Sequence, residues 1–248
     1  MVKGLDTFQK YFADYEEQYV LIGGAACDIL FESNEVNFRA TRDLDMVLIV
    51  EALTPEFGEK FWEFIVDGKY RNKATNGSNP QFYRFDKPED DEFPKMIELF
   101  CRSDFKLKDA KGIIPFHIDD EVSSLSAILL NDDYYKALLN GKEVRNGLSV
   151  LRPEYIILFK AKAYLDLQKR KDSGEKLDSS DIKKHKKDVL RIASELMLEK
   201  VEELPIAVDA DIHSFIDLLE QEPFDQNSLK RFGLKNEDVV EVLKQVFG

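Results

Sequence analysis

The run Tyr19-Val20-Leu21-Ile22 is continuously apolar and stops on two glycines, Gly23 and Gly24. A run of that length, closed by a turn signal, reads as a buried strand. Ala25 to Phe31 then reads as a helix. A buried strand feeding a helix through a glycine turn requires other strands beside it, so the chain must build a sheet. Asp43 to Val50 begins with alternation and becomes continuously apolar, which suits a central strand. Gln81–Phe85 and Lys95–Phe100 read as further strands, with a polar, acidic turn from Lys87 to Pro94 between them. Ile113–Ile118 and Leu148–Leu151 add two short ones. Leu5, Phe8, Phe12 and Tyr15 fall at helical spacing and predict an opening helix from Leu5 to Glu17. Pro55 starts a second helix through Val66, and residues 71–80 read as a loop.

The pattern changes after Pro153. Glu154–Lys171 and Ser180–Leu198 have helical periodicity and flank a polar break, Asp172–Asp178, around Gly174. Ser179 or Ser180 is the expected cap of the second of these helices. Two more helices are expected, at Asp211–Gln221 and Asn236–Phe247. The fold class is therefore α+β: a mixed β-sheet flanked by helices over residues 1–150, then a helical domain over residues 151–248.

Composition narrows the functional classes. With 44% hydrophobic and 33% charged residues, the 248-residue chain has ample material for a core. No apolar run is long enough to span a bilayer, and the first residues lack a signal-peptide core, so a cytoplasmic protein is expected. Cys27 and Cys101 are too few for a disulfide framework or a Cys-x-x-Cys zinc site and read as buried thiols. His117, His185 and His213 have no ligand spacing. A net charge of -13 repels nucleic acid on average. Residues 160–191 are far more basic, which keeps an RNA partner in play. Within them Lys183-Lys184-His185-Lys186-Lys187 is either a solvated helix face or a phosphate-contacting one. The acidic clusters Asp119-Asp120-Glu121 and Glu89-Asp90-Asp91-Glu92 read as solvated loops.

Three features carry candidate chemistry. Ile22-Gly23-Gly24-Ala25 places glycines at a strand-to-helix turn. Backbone N–H groups there can approach a ligand, and the helix start is suited to phosphate. Taken alone, such a pair is more often simply a turn. Asp43 and Asp45 lie two apart at the start of a strand, so both carboxylates share a face. Their repulsion would be relieved by a divalent cation, with Mg²⁺ matching hard oxygen ligands. The plainer alternative is a solvated strand start, with Asp43 capping the turn. Glu98 is a single acid in the apolar Met96-Ile97-Glu98-Leu99-Phe100. It either joins the aspartates from a neighbouring strand or faces water on an edge strand.

Taken together, a Gly-Gly turn, Asp-x-Asp on the next strand and an isolated acid on a later one resemble the DNA polymerase β-like nucleotidyltransferase superfamily. Gly-Gly-Ala-Ala followed by Arg39-Ala40-Thr41-Arg42-Asp43-Leu44-Asp45 is similar to its AbiEii-type branch, which includes toxins of toxin–antitoxin and abortive-infection systems. The resemblance covers about residues 18–101 by motif, and more loosely Arg152-Pro153-Glu154, Lys160-Ala161-Lys162 and Asp181-Ile182. It implies a nucleotidyltransferase-type sheet domain and a Mg²⁺-dependent transfer of a nucleoside monophosphate from a nucleoside triphosphate to a hydroxyl acceptor. RNA, protein and small molecules all remain open as acceptor, with a cognate antitoxin as a further partner and no membrane.

The same resemblance assigns roles. Gly23, Gly24 and Ala25 would cradle phosphates. Asp43 and Asp45 would ligate Mg²⁺, and Glu98 would complete a second metal site or help deprotonate the attacking hydroxyl. Thr41 would orient Asp43; Arg39 would contact phosphate or serve as counter-charge to the acids. Lys160, three after Ile157, would send its stem inward toward the nucleotide, whereas Lys162, two further on, cannot share its face. Asp181 matches the family's later helix acid, or simply favours the helix dipole. One departure is that Gly24 stands where many superfamily members have a serine, which removes a phosphate-binding hydroxyl. Two other readings compete: a non-catalytic nucleotide- or partner-binding module of the same fold, and a metal-dependent phosphohydrolase.

Overall fold

A computed structural model describes residues 2–32, 43–74, 80–100, 106–109, 112–115, 128 and 131–248; of 72–74, 80–83, 106–109 and 112–115 it describes the backbone alone. The chain divides into two compact units, residues 1–122 with 142–151, and residues 123–141 with 152–248. Residues 132–140, a helix, fall in the second of these units.

The first unit is built on a seven-stranded sheet. In chain order its strands are β1 (Tyr19–Ile22), β2 (Asp43–Leu48), β3 (Arg71–Ala74), β4 (Pro80–Asp86), β5 (Met96–Phe100), β8 (Lys142–Arg145) and β9 (Leu148–Leu151). They lie side by side in the order β3-β4-β5-β2-β1-β9-β8. Two pairings, β2 with β5 and β1 with β9, are parallel, and the remaining neighbours are antiparallel. A separate two-stranded ribbon pairs β6 (Lys106–Asp109) with β7 (Gly112–Pro115). Both edges of the large sheet are charged, Arg71-Asn72-Lys73-Ala74 on one side and Lys142-Glu143-Val144-Arg145 on the other. Charged edges discourage pairing with another chain.

Strand alternation gives the sheet two different faces. Tyr19, Leu21, Leu44, Met46, Leu48, Ile97 and Leu99 share one, and all are buried. Helices α1 (Leu5–Phe12) and α3 (Pro55–Asp67) cover it with aromatic rings. Phe8 meets the Tyr19 ring edge-on at 5.5 Å and the Phe64 ring at 5.8 Å. Phe12 packs 5.6 Å from Phe57, and Phe61 lies 5.5 Å from Phe85 of β4. Edge-to-face rings at these separations add to the gain from their buried area. Helix α2 (Gly23–Glu32) follows β1 directly and packs on β1 and β2.

Helix α3 starts as the Pro55 signal predicts. Phe57 N donates to the Thr54 hydroxyl at 3.3 Å, and Pro55 occupies the first turn. Thr54→Ala is expected to cost about 1 kcal/mol of stability, read as a lower urea midpoint at unchanged slope.

The second unit is helical: α4 (Asp132–Asn140), α5 (Pro153–Asp172), α6 (Ser179–Glu195), α7 (Ile206–Gln221), α8 (Gln226–Phe232) and α9 (Asn236–Phe247). The first half of α5, from Pro153 to Ala161, is buried all round. That is the mark of a helix at the centre of a bundle, and α4, α6 and α7 pack against it.

Several expectations change in detail. Residues 71–80, expected as a loop, contain β3 and the first residue of β4. An edge strand pairs through its backbone on one side only and needs no apolar alternation. Helix α1 ends at Phe12 rather than Glu17, α2 begins at the glycines, and α6 ends at Glu195 because Leu196 is extended. The cap of α6 is Asp178, not a serine; its carboxylate accepts from Ser180 N at 2.8 Å. Cys27 is buried as expected, while Cys101 and His117 lie outside the described residues. No helix among the described residues is long and apolar enough to cross a membrane.

Candidate functional site

The sheet face opposite the aromatic one carries the acids. Along β2, half-buried Asp43 and Asp45 alternate with buried Leu44 and Met46. Along β5, half-buried Glu98 sits between buried Ile97 and Leu99. The two strands are parallel neighbours in a register that sets Asp45 opposite Glu98 and Asp43 opposite Met96. Paired residues on adjacent strands are only about 4.8 Å apart and point to the same side. Asp43, Asp45 and Glu98 therefore emerge on one face of two adjoining strands, at the centre of the sheet.

The glycine turn meets this face. Ile22, the last residue of β1, pairs with Asp45. Gly23 follows with φ of 63°, in the left-handed region where a side chain is disfavoured. A Cβ on Gly23 would run into Oδ2 of Asp45 and lie 3.3 Å from its Cγ. The carboxylate of Asp45 thus rests against the first residue of α2. No acidic residue occupies the first turn of that helix, so its N-terminal N–H groups and positive dipole end favour a negative charge there. Gly23 is half-buried, whereas Gly24 and Ala25 are buried, so of the three phosphate-cradling candidates Gly23 is the one solvent reaches. We expect Gly23→Ala to cost at least about 1 kcal/mol from the left-handed backbone alone. It would also displace the Asp45 carboxylate. Urea unfolding, with a crystal structure of the variant, reads both effects.

A salt bridge that the residue pattern did not announce holds Glu98. Arg84 of β4 pairs in register with Glu98, and its Nε donates to Glu98 Oε1 at 2.5 Å while a second guanidinium nitrogen reaches the same oxygen. The signal was the alternation Tyr83-Arg84-Phe85, which sends Arg84 to the face opposite Phe85. It became legible only once β4 was known to lie beside β5. Like charges directly opposite on neighbouring strands are destabilising. Arg84 offsets this at Glu98, and the start of α2 does so at Asp45.

The donor chemistry of Asp43, Asp45 and Glu98 suits a hard divalent cation. In the conformation described, no three His, Cys, Asp or Glu side chains among the described residues are gathered closely enough to enclose one. Glu98 is turned to Arg84 instead. Asp43 and Asp45 could hold a cation between them, and Glu98 could join them only on leaving Arg84. Arg39 and Thr41 lie outside the described residues.

Lys160 sits in α5 of the helical unit. Its stem points inward as its spacing implied, and its Nζ pairs with Asp188 Oδ2 of α6 at 2.8 Å, both groups being buried. Asp188 is the second charged residue that the pattern concealed: it ends the basic run 183–187 but faces inward with Val189 and Leu190. Lys162 turns to other partners, Asp166 at 3.0 Å and Asp211 at 3.2 Å. Burial works to lower its pKa, but these two carboxylates together outweigh burial and raise it. Tyr134 of α4 donates to the same Asp211 at 3.0 Å. Asp181 is exposed in the first turn of α6 and pairs with Lys184 at 3.0 Å, a position that favours the helix dipole.

Compared with models of known protein families, with curated proteins and with solved structures, the chain matches none.

Proposed function

We propose that this chain is a Mg²⁺-dependent nucleotidyltransferase of the DNA polymerase β-like type, using Asp43, Asp45 and Glu98. The single observation that supports this reading most is the register of β2 and β5. It sets three acids from two segments on one face, beside a glycine turn whose close approach admits no side chain. The like charges of Asp45 and Glu98 repel across the pair; Arg84 and the start of α2 offset part of that, and a bound cation would offset the rest.

Asp43 and Asp45 would hold the metal, with Glu98 completing the set. Bound Mg²⁺ would supply charge stabilisation at the α-phosphate and at the leaving pyrophosphate. The turn at Gly23 would admit the triphosphate against backbone N–H groups at the start of α2. The acceptor oxygen would form its bond to the α-phosphorus as the bond to pyrophosphate breaks, and the acceptor's proton would pass to Glu98 or to solvent. The resemblance to the AbiEii-type branch adds a toxin of a toxin–antitoxin or abortive-infection system as the biological setting, with a cognate antitoxin as partner and RNA, protein or a small molecule as acceptor.

The test is direct. Nucleoside triphosphate with Mg²⁺ should raise the melting temperature, and incubation with labelled triphosphates and cell lysate should release pyrophosphate and label an acceptor. Release of inorganic phosphate in its place would indicate a phosphohydrolase. A second reading, a non-catalytic nucleotide- or partner-binding module, draws support from the Arg84–Glu98 salt bridge, which occupies one of the acids. It predicts nucleotide-dependent stabilisation with no pyrophosphate released.

A further inference from the structure

The helical unit contains a pocket of about 480 Å³ whose lining includes none of Asp43, Asp45 and Glu98. Its floor is apolar, with Leu190, Phe224 and the ring of Tyr164, and three lysines of α6 line it: Lys183, Lys186 and Lys187. Lys183 and Lys187 are four apart, hence on one face of the helix, and exposed. Among the described residues neither forms a salt bridge. Lys186 lies deeper. Its Nζ donates to the Glu222 carbonyl and, at 3.4 Å, to that of Pro223. It sits 5.7 Å from the centre of the Tyr164 ring and 5.5 Å from that of Phe224. Burial lowers its pKa, against the opposing pull of the Glu222 carboxylate.

The counter-charges do not match the cations. Two carboxylates line the pocket, Glu222 and Asp225. Asp225 Oδ2 caps α8, accepting from Ser228 N and Ser228 Oγ, both at 2.9 Å; these hydrogen bonds first, and the nearby Lys187 ammonium after them, hold its carboxyl below the usual range. In a chain of net charge -13, three lysines converging on one concavity stand out from the surrounding charge. The volume falls within the range of about 300–1,000 Å³ typical of small-molecule sites, so a lone inorganic anion would leave most of it empty. An anion carrying a flat, partly apolar body would use both the cationic rim and the apolar floor.

We propose that this pocket binds a nucleotide through its phosphate, with Lys183, Lys187 and the remaining N–H of Lys186 on the phosphate and the base or sugar against Leu190 and Phe224. A free mononucleotide and a nucleotide within a single strand present the same chemistry. The site does not depend on the acids of the sheet, and its occupancy needs no divalent metal.

The full chain is tested in EDTA, which removes the metal dependence expected of the acids. The probes are AMP, inorganic phosphate and a short fluorescent single-stranded RNA. Binding of either nucleotide probe is expected, and Lys183→Ala with Lys187→Ala should weaken it roughly tenfold per lysine, the worth of a charge-assisted hydrogen bond. For RNA, the slope of log K against log salt should fall by about 0.7 for each phosphate that the variant no longer engages. Both lysines are exposed, so the melting temperature should hold. Lys10→Ala, which removes the same charge elsewhere, should leave binding intact. Binding of AMP itself identifies a free nucleotide as ligand; binding of RNA alone identifies a strand. Binding of neither in EDTA overturns the proposal, as does binding unchanged in the double variant or competition by inorganic phosphate as effective as that by AMP. Failure of the acid-site reading would instead appear as no Mg²⁺-dependent stabilisation or transfer.

Discussion

Asp45→Asn should abolish the Mg²⁺- and nucleotide-dependent rise in melting temperature and lower any transfer activity by about a thousandfold or more. The magnitude follows from the several kcal/mol of transition-state stabilisation that a metal supplies, at about 1.4 kcal/mol per factor of ten. Asp45 is the choice among the three acids because of its neighbours. It faces Glu98 across the β2–β5 pair, and its carboxylate rests against Gly23. Asparagine keeps the shape and so keeps that packing, while it removes the negative charge a cation needs. Stability without ligand should change little, or rise slightly as the repulsion from Glu98 is relieved. Calorimetry with and without ligand, beside a pyrophosphate-release assay, separates these outcomes. A variant that retains full nucleotide-dependent stabilisation would remove Asp45 from the site.

Lys160→Met is expected to destabilise the protein by about 3–5 kcal/mol, the cost of leaving one partner of a buried ion pair uncompensated. That is a large share of the roughly 5–15 kcal/mol by which domains are stable. Lys160 and Asp188 have side chains only 11% and 5% exposed, and their 2.8 Å hydrogen bond joins α5 to α6. Combining Lys160→Met with Asp188→Asn should recover much of the loss, since no unpaired charge would then remain. A double-mutant cycle by urea unfolding measures the coupling directly. A loss below about 1 kcal/mol would show the pair to be dispensable for the fold.

How much of this was legible beforehand depended on whether the signal was local. Strands β1, β2 and β5 carry their own patterns, an apolar run closed by glycines or an alternation that turns apolar, and they stand where expected. The mixed α+β character and the helical second half were legible for the same reason. The partners of the charged groups were not. Arg84 and Glu98 meet because β4 lies beside β5, and Lys160 meets Asp188 because α5 packs on α6; neither adjacency is written in either segment alone. Strand β3, Arg71-Asn72-Lys73-Ala74, is an edge strand whose sequence carries no apolar alternation. Helix α4 does carry a local signal, Asn131, whose side-chain oxygen accepts from Asp133 N and Tyr134 N, but its apolar residues are too few to mark a helix without that cap.

The parallel pairings at the centre of the sheet also bear on how the protein comes into being. Strand β1 pairs with β9, through Leu21 and Val150, and β2 with β5, so the middle of the sheet is stitched from segments distant along the chain. Such long-range closures lose entropy before any packing rewards them, and they slow folding. During synthesis from the N-terminus, Asp43 and Asp45 emerge well before Glu98, and β1 waits for β9 with one flank unpaired. The three acids therefore come together only as the sheet closes. A nascent chain halted before residue 148 would display an open strand edge where β9 belongs, the kind of edge on which chaperones and aggregation compete.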